Sequence, residues 1–113
     1  MSDQLIELSN RIRDLLDGDP RITEKKMFGG LSFLLNGHLF ISAKKDGRAM
    51  IAVGKDNYEA ALERPGARPM THGKGAMTGF IWLDADEAES KDTLREWIVL
   101  AEHHVKTLKP KTK

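Results

Sequence analysis

The fold is decided by the segment MFGGLSFLLNGHLF, which runs from Met27 to Phe40. Its Asn36-Gly37 pair stands between two apolar runs, and Asn-Gly is the dipeptide that most readily adopts the positive φ angles of a type I′ hairpin turn. The sequence therefore predicts a β-hairpin with strands from Leu31 to Leu35 and from His38 to Lys44. The preceding Gly29-Gly30 pair predicts a bulge, a bend or a close backbone approach, because glycine lacks a Cβ.

Further strands are predicted on both sides of the hairpin. Residues Ile22 to Phe28 have a charged middle, Glu24-Lys25-Lys26, which is typical of an edge strand. The turn Lys45-Asp46-Gly47 leads to a strand at Arg48 to Val53, so the segments predict an antiparallel meander. Strict alternation divides the second hairpin strand between two faces: Leu39, Ile41 and Ala43 on one, and His38, Phe40 and Ser42 on the other.

Helices are predicted at both ends of the chain. From Asp3 to Leu16 apolar residues recur at three- and four-residue steps, with Ser2 as a cap. The last helix is capped by Ser90 and stops at Pro110. Its single apolar stripe consists of Leu94, Trp97, Ile98, Ala101, Val105 and Leu108.

The segment after the meander predicts a short helix and a long loop. Asp56 or Asn57 can cap a helix through Leu62, which Pro65-Gly66 ends. Residues Arg64 to Gly75 contain three glycines and two prolines. This composition predicts an irregular loop, and a loop of this length in a small domain is often functional or mobile.

The order of the elements predicts the fold class. Gly79 to Leu83 is a short apolar run and predicts a buried strand, and Asp84 to Glu89 predicts an acidic loop. The chain thus reads helix, three or four strands, short helix, one or two strands, helix. This order predicts an α+β fold with an antiparallel sheet of four to six strands.

Composition limits the class of protein. The chain has 113 residues, 40% hydrophobic and 31% charged, which predicts one domain over residues 1–113 with residues 109–113 as a basic tail. No apolar run reaches the roughly 20 residues of a membrane span, and the N-terminus lacks a secretory pattern, so we expect a cytoplasmic protein. The absence of cysteine excludes disulfides, thiolate metal sites and cysteine nucleophiles.

Charge is distributed unevenly along the chain. The net charge is +1 at pH 7, which makes no global electrostatic case for a nucleic-acid partner. Residues 1–20 carry −3, residues 21–75 carry +5, residues 76–105 carry −5 and residues 106–113 carry +4. Solvated faces account for such blocks in most proteins. The alternative is a charge-complementary partner surface, for which the +5 block is the candidate.

Two motifs resemble the TfoX N-terminal domain family, named for the bacterial competence regulator TfoX, also called Sxy. The first motif is Met27-Phe28-Gly29-Gly30, followed by Gly37 and Phe40. The second runs from Tyr58 to Met70, includes Pro65, Gly66 and Pro69, and is followed by Met77 and Gly79-Phe80. Both occur in the order and with the spacing of the family, and the resemblance covers roughly residues 8–108.

The resemblance implies a small α+β domain with flanking helices around an antiparallel sheet. In the competence regulators this domain is followed by a separate C-terminal domain, whereas the present sequence stops at Lys113. We therefore expect a stand-alone module that can serve another pathway. The resemblance assigns no catalytic residue to this chain.

The sequence predicts no catalytic constellation, metal site or cofactor. The candidate ligands or bases are the four histidines His38, His72, His103 and His104. His103 and His104 point about 100° apart on a helix, so they do not readily face one ion. The serines and threonines lack a nucleophile motif, and the acidic loop lacks the EF-hand pattern. Trp82 and Trp97 lie on apolar stripes and are expected to pack in the core.

Four residues of the glycine-rich loop are the candidate interaction or anion-binding site: Arg64, Arg68, His72 and Lys74. A P-loop with Lys74 as its lysine needs Gly at position 68 and Ser or Thr at position 75, where this chain has Arg68 and Gly75. A looser anion site built with glycine amides is the alternative to a loop that its own arginines order.

The leading hypothesis is a non-enzymatic cytoplasmic module that acts through protein–protein contacts in bacterial regulation. The first alternative is a small-ligand or anion-binding protein, or an enzyme, that uses the Arg64–Gly75 loop. The second is weak nucleic-acid binding by the basic block and tail, which salt would abolish. A homodimer formed through a sheet edge is a further expectation.

Overall fold

A computed structural model describes residues 3–27, 30–72 and 75–108 and confirms the α+β class. Within these residues an antiparallel sheet of six strands has the spatial order β1-β2-β3-β4-β6-β5. The elements are α1 (Asp3–Leu16), β1 (Ile22–Met27), β2 (Gly30–Leu35), β3 (His38–Lys44), β4 (Ala49–Ala52), α2 (Tyr58–Leu62), β5 (Ala67–His72), β6 (Gly75–Leu83), α3 (Ala85–Ala88) and α4 (Lys91–Lys106). The following predicted features lie outside the described residues: the Ser2 cap, Phe28, Gly29, Lys74, Pro110 and the tail 109–113.

The central hairpin forms as predicted. Asn36 and Gly37 connect β2 to β3 with φ angles of 52° and 86°, the two positive values that a type I′ turn requires. Of the three alternatives for Gly30, the close backbone approach is correct. A Cβ on Gly30 would lie 2.1 Å from the carbonyl oxygen of Ala43 on the paired strand.

The predicted division of β3 between two faces is wrong at its centre. The pairing of β2 with β3 shifts register between Phe33 and Leu34, so that Phe33 pairs with Ile41 while Leu34 pairs with Leu39. Phe40 is the extra residue of this bulge, and it joins Ile41 and Ala43 in the buried core instead of facing the opposite side. Leu39, predicted to share their face, is only half-buried and lies outside the core cluster.

The helices cover one face of the sheet. α1 packs on β2 and β3, α4 on β3 and β4, and α2 on β5 and β6. The predicted stripes of α1 and α4 pack on the core, except for Leu108, which lies beyond the end of α4 and is 39% exposed. Ser90 caps α4 by accepting a hydrogen bond from the backbone N–H of Thr93 at 3.3 Å. None of the helices in the described ranges is long and apolar enough to cross a membrane.

The long irregular loop predicted for Arg64–Gly75 is largely a strand. Residues Ala67–His72 form β5, and β6 begins at Gly75 and not at Gly79. β5 pairs only with β6, so it is an edge strand, the position in a sheet where a residue such as Pro69 is tolerated.

Two local predictions about the remaining helices are also wrong. Asn57 occupies the N-cap position of α2, but its side chain makes no cap; its Nδ2 donates to the carbonyl oxygen of Val53 at 3.1 Å. The segment Asp84–Glu89 is not a plain loop, since Ala85–Ala88 form α3.

The close approach at Gly30 predicts a large loss of stability on adding one methyl group. Gly30→Ala should lower the free energy of unfolding by about 2 kcal/mol or more, because its Cβ collides with backbone that cannot move without separating β2 from β3. Urea titration measures this. In the control Gly18→Ala the new Cβ meets nothing within 4 Å, and only the positive φ of 71° costs stability, by about 1 kcal/mol. Equal losses in the two variants would contradict the collision.

Candidate functional site

The two arginines of the predicted interaction loop are held by different carboxylates. Arg68 lies on β5, and its Nε and Nη2 donate to the two carboxylate oxygens of Asp84 at 2.8 and 2.9 Å. Arg64 follows α2, with its Nη2 3.2 Å from Oε1 of Glu96 and its guanidinium carbon 4.9 Å from the centre of the Trp97 ring. The structure therefore places the two guanidinium groups in separate ion pairs.

The remaining candidates are two residues of that loop and two glycines of the family motif. His72 is the last residue of β5, and Lys74 lies outside the described residues. A Cβ on Gly66 would lie 2.3 Å from Cγ of Glu87, so this glycine permits the packing of α3. The carbonyl oxygen of Gly79 accepts hydrogen bonds from the backbone N–H groups of Val53 and Gly54 at 2.8 and 3.0 Å.

The ion pair between Arg68 and Asp84 changes the pKa of the Asp84 carboxyl group. The hydrogen bonds from Arg68 lower the pKa of Asp84; burial opposes this shift, and the positive charges of Arg68 and Arg48 add to it. Because the pKa is lowered in the folded state, the pair stabilises the fold above the ordinary pKa of an aspartate, and this contribution disappears as the pH falls through the lowered value. The Arg68 side chain is 68% exposed, so solvent screens the attraction.

A groove with a volume of about 630 Å³ lies between α2 and α4. Its apolar lining consists of Ala60, Ala61, Val99 and Leu100; its polar lining consists of Asn57, Arg64, Arg95, Glu96 and His103. Arg64 contacts Glu96 near the start of α4, whereas Asn57 and His103 line the groove together nearer its end. The two helices therefore run in opposite directions along what we call the α2–α4 groove.

The way α4 packs on the sheet explains why Val99 is exposed. The helix buries Leu94, Trp97, Ile98, Ala101 and Val105 against the sheet. Val99 lies beside this stripe, about 100° further around the helix than Ile98. Its side chain is 61% exposed in the groove.

A second groove, of about 620 Å³, continues along the same helix. It shares Asn57 and His103 with the α2–α4 groove, and its other lining residues are Gly54, Lys55, Asp56, Gly79, Phe80, His104, Thr107 and Leu108. The imidazole of His104 packs on Gly54 so closely that a Cβ there would lie 2.4 Å from its Nδ1. The two grooves are therefore neighbours along α4.

The prediction that both tryptophans pack in the core holds for only one of them. Trp97 is 2% exposed and belongs to the core cluster. Trp82 is half-buried on β6, and its ring faces two cations: the guanidinium carbon of Arg48 lies 4.4 Å and Nζ of Lys44 5.7 Å from the ring centre. Burial lowers the pKa of Lys44, and the nearby charge of Arg48 lowers it further.

Two groups of polar side chains bear on catalysis in the described residues. In the part of the chain that the structure describes, no three His, Asp or Glu side chains gather as a metal ion would require. Ser32 and Ser42 face each other on β2 and β3 with their hydroxyl oxygens 2.9 Å apart, and both residues are fully buried. Their hydroxyl groups therefore satisfy each other inside the sheet and do not meet solvent.

The groove was missed by the sequence analysis. Its walls belong to α2 and α4, which are separated by two strands and a short helix in the sequence. The available signal was Val99, an apolar residue of the last helix that lies off the predicted stripe. Of the two expected interaction residues whose side chains the structure describes, Arg64 lines this surface and Arg68 does not.

The fold and its surface define a class of small α+β domains: a six-stranded antiparallel sheet covered by helices on one face, with an open groove between two of them. The sequence model of the TfoX N-terminal domain matches residues 14–105. The chain therefore belongs to the TfoX N-terminal domain family, which makes it a competence-regulator-like domain. Neither a curated protein nor a solved structure matches it.

The Arg68 ion pair predicts a specific change in titration. Arg68→Ala should raise the pKa of Asp84 toward the ordinary aspartate value, since Arg68 supplies the hydrogen bonds that lower it. An NMR pH titration of the carboxyl carbons measures this directly. Arg64→Ala is the matched control and should leave Asp84 unchanged, because Arg64 pairs with Glu96 instead. An unaltered Asp84 titration in Arg68→Ala would refute the pairing.

Proposed function

We propose that this protein is a non-enzymatic, cytoplasmic regulatory module that acts by binding another protein. The observation that supports the proposal most directly is the exposure of Val99 in the α2–α4 groove. Membership of the TfoX N-terminal domain family supports the regulatory role. Covering apolar side chains in an open groove removes them from water, which favours association.

The lining of the groove supports a protein partner. Protein interfaces combine an apolar centre with a polar rim. Here Val99, Leu100 and Ala60 form the apolar part, while Arg64 and Arg95 bring cations to the edge. A groove between two helices suits an amphipathic helix whose apolar residues recur every three or four positions.

The energy available from Val99 alone is small. Burying the part that remains exposed contributes about 1–2 kcal/mol, given the value for a complete valine side chain. A stable complex therefore requires that neighbouring positions such as Leu100 and Ala60 be covered in the same step. This requirement favours a macromolecular partner over a small ligand.

The alternatives receive less support from the geometry. An anion bound by both Arg64 and Arg68 would have to compete with Glu96 and Asp84, which already pair with them. For nucleic-acid binding, Arg48 lies over Trp82 and so covers a ring face on which a base could stack. We therefore place small-ligand and nucleic-acid binding behind protein binding.

A pulldown with matched variants tests the proposal. The tagged chain, Val99→Glu and Ile6→Glu are incubated with native lysate of a bacterium that carries the gene, at low and moderate salt. We expect a protein other than the chain itself to be retained by the wild type and by Ile6→Glu but lost with Val99→Glu, since the carboxylate replaces apolar contact area and must lose its hydration when the partner covers it. Ile6 is 43% exposed on α1, away from the groove, and so controls for surface charge.

Two outcomes would contradict the proposal. One is a retained protein that Val99→Glu holds as well as the wild type does. The other is the absence of any protein partner together with specific copurification of a metabolite, which would favour the small-ligand alternative. Circular dichroism of all three proteins shows whether the substitutions leave the fold intact.

A further inference from the structure

Two cations lie beside Trp82 on one face of the sheet. Ser42 pairs with Met50 and Met50 pairs with Trp82, and residues paired directly across antiparallel strands share a face. Lys44 lies two residues beyond Ser42, and Arg48 lies two residues before Met50. Their backbones meet through a 2.9 Å hydrogen bond from the N–H of Lys44 to the carbonyl oxygen of Arg48. Lys44, Arg48 and Trp82 therefore share this face.

The alternate residues of the same strands show which face this is. Ile41, Ile51 and Ile81 are paired in a row of their own, and all three belong to the core beneath the helices. Successive residues of a strand point to opposite faces of a sheet. The face with Trp82 is therefore the one that the helices leave uncovered, opposite the α2–α4 groove.

Lys44 and Arg48 are held close together although both are positively charged. The guanidinium carbon of Arg48 lies 4.4 Å and Nζ of Lys44 5.7 Å from the centre of the same Trp82 ring. Lys44 is only 9% exposed, so its ammonium group has lost much of its hydration. Burial and the charge of Arg48 both lower the pKa of Lys44, which shows that the two cations oppose each other. An anion that contacts both would offset this repulsion.

The neighbouring carboxylates do not cancel the positive charge around Trp82. Asp46 accepts a hydrogen bond from Nε of Arg48 at 2.7 Å. Asp84, whose pKa the charge of Arg48 also lowers, is already held by Arg68. Among the described side chains of this cluster, the three cations of Lys44, Arg48 and Arg68 thus meet two carboxylates. One positive charge is left over for an anion.

Arg48 also has hydrogen-bond donors to offer. Within the described residues, Asp46 occupies the Nε side of the guanidinium group, and no acceptor contacts either Nη group. The Arg48 side chain is 43% exposed, so an anion can reach it from solvent. A guanidinium group with two open N–H donors can hold two oxygens of one anion side by side.

We propose that Arg48 and Lys44 form a binding site for the phosphate group of a small phosphorylated metabolite. A phosphate monoester carries about 1.5 to 2 negative charges at pH 7 and three terminal oxygens. Two oxygens match the Nη groups of Arg48, and the third is available to the ammonium group of Lys44. A carboxylate has one charge and two oxygens, so it satisfies this pair of cations less well.

The contact of Arg48 with Trp82 limits what the site recognises. Because the guanidinium group already lies on the ring, the site binds the phosphate group and does not stack an aromatic base. The site lies on the face opposite the α2–α4 groove and is independent of the proposed function.

Isothermal titration calorimetry of the full chain with inorganic phosphate and with glycerol 2-phosphate, at constant ionic strength, tests the site. We expect one site with a Kd of about 1 mM or below. Arg48→Gln should raise the Kd at least about tenfold, and Arg48→Lys at least about threefold, because lysine keeps the charge but cannot hold two oxygens side by side. Lys44→Gln should raise it at least about threefold.

Arg13→Gln is the matched control. Arg13 lies on α1, pairs with Glu24 as Arg48 pairs with Asp46, and has a side chain that is 44% exposed, close to the value for Arg48. Its replacement removes the same charge elsewhere and should leave the Kd unchanged. Circular dichroism of every variant shows whether the fold is intact, and the exposed position of Arg48 makes its variants the decisive ones.

NMR shows where phosphate binds. The chain has two tryptophans, so its spectrum contains two indole N–H signals, and Trp82→Phe identifies the one that belongs to Trp82. Phosphate should shift the Trp82 signal and leave that of Trp97, which is buried in the core, unchanged. In Arg48→Gln the shift caused by phosphate should disappear.

Three results would overturn the phosphate site. The first is the absence of saturable binding up to about 50 mM inorganic phosphate. The second is a wild-type Kd in Arg48→Gln. The third is binding of acetate, or of the diester dimethyl phosphate, as tight as that of glycerol 2-phosphate, which would assign the site to a carboxylate or to a phosphodiester instead.

Discussion

The extra residue of β3 at Phe40 determines where the core lies. Because the bulge turns both Phe40 and Ile41 toward the helices, the middle of the sheet presents two large side chains in succession where strict alternation would present one. α4 packs over β3 and β4. Its burial of Trp97 and Ile98 against that surface fixes the rotation of the helix, and this rotation leaves Val99 in the groove. The exposed surface thus follows from an irregularity inside the sheet.

The parts of the fold that depend on neighbours in sequence could be predicted. The Asn36-Gly37 turn and the apolar periods of α1 and α4 are local properties, and each was confirmed. The register shift in β3 arises from pairing between strands, which the period of one strand cannot reveal. β5 was missed because it contains Pro69 and is flanked by glycines in the sequence, a composition typical of loops. Tertiary pairing with β6 at a sheet edge overrides that preference.

The candidate site could not be predicted because the fold redistributes both charge and apolar surface. In sequence, residues 21–75 form a +5 block and residues 76–105 a −5 block. In the folded chain Arg64 pairs with Glu96 and Arg68 with Asp84, so cations of one block are compensated by carboxylates of the other. A block of like charges in the sequence therefore says little about the local electrostatic potential until the ion-pair partners of its residues are known. The groove likewise exists only where α2 approaches α4, and no motif in the sequence marks that approach.

The two walls of the groove differ in how firmly they are held. α4 is anchored by five buried side chains along 16 residues, so its exposed face is set before any partner arrives. α2 has five residues, one of which is buried, and polar contacts such as that of Asn57 with the backbone of Val53 help to hold it. Arg64 links this wall to α4 through Glu96 and the face of Trp97, and the ion pair is exposed to solvent. A partner that binds here therefore meets a rigid wall in α4, which sets the direction of binding. The other wall, α2, is adjustable, and the entropy lost when it becomes ordered reduces the affinity gained from burial.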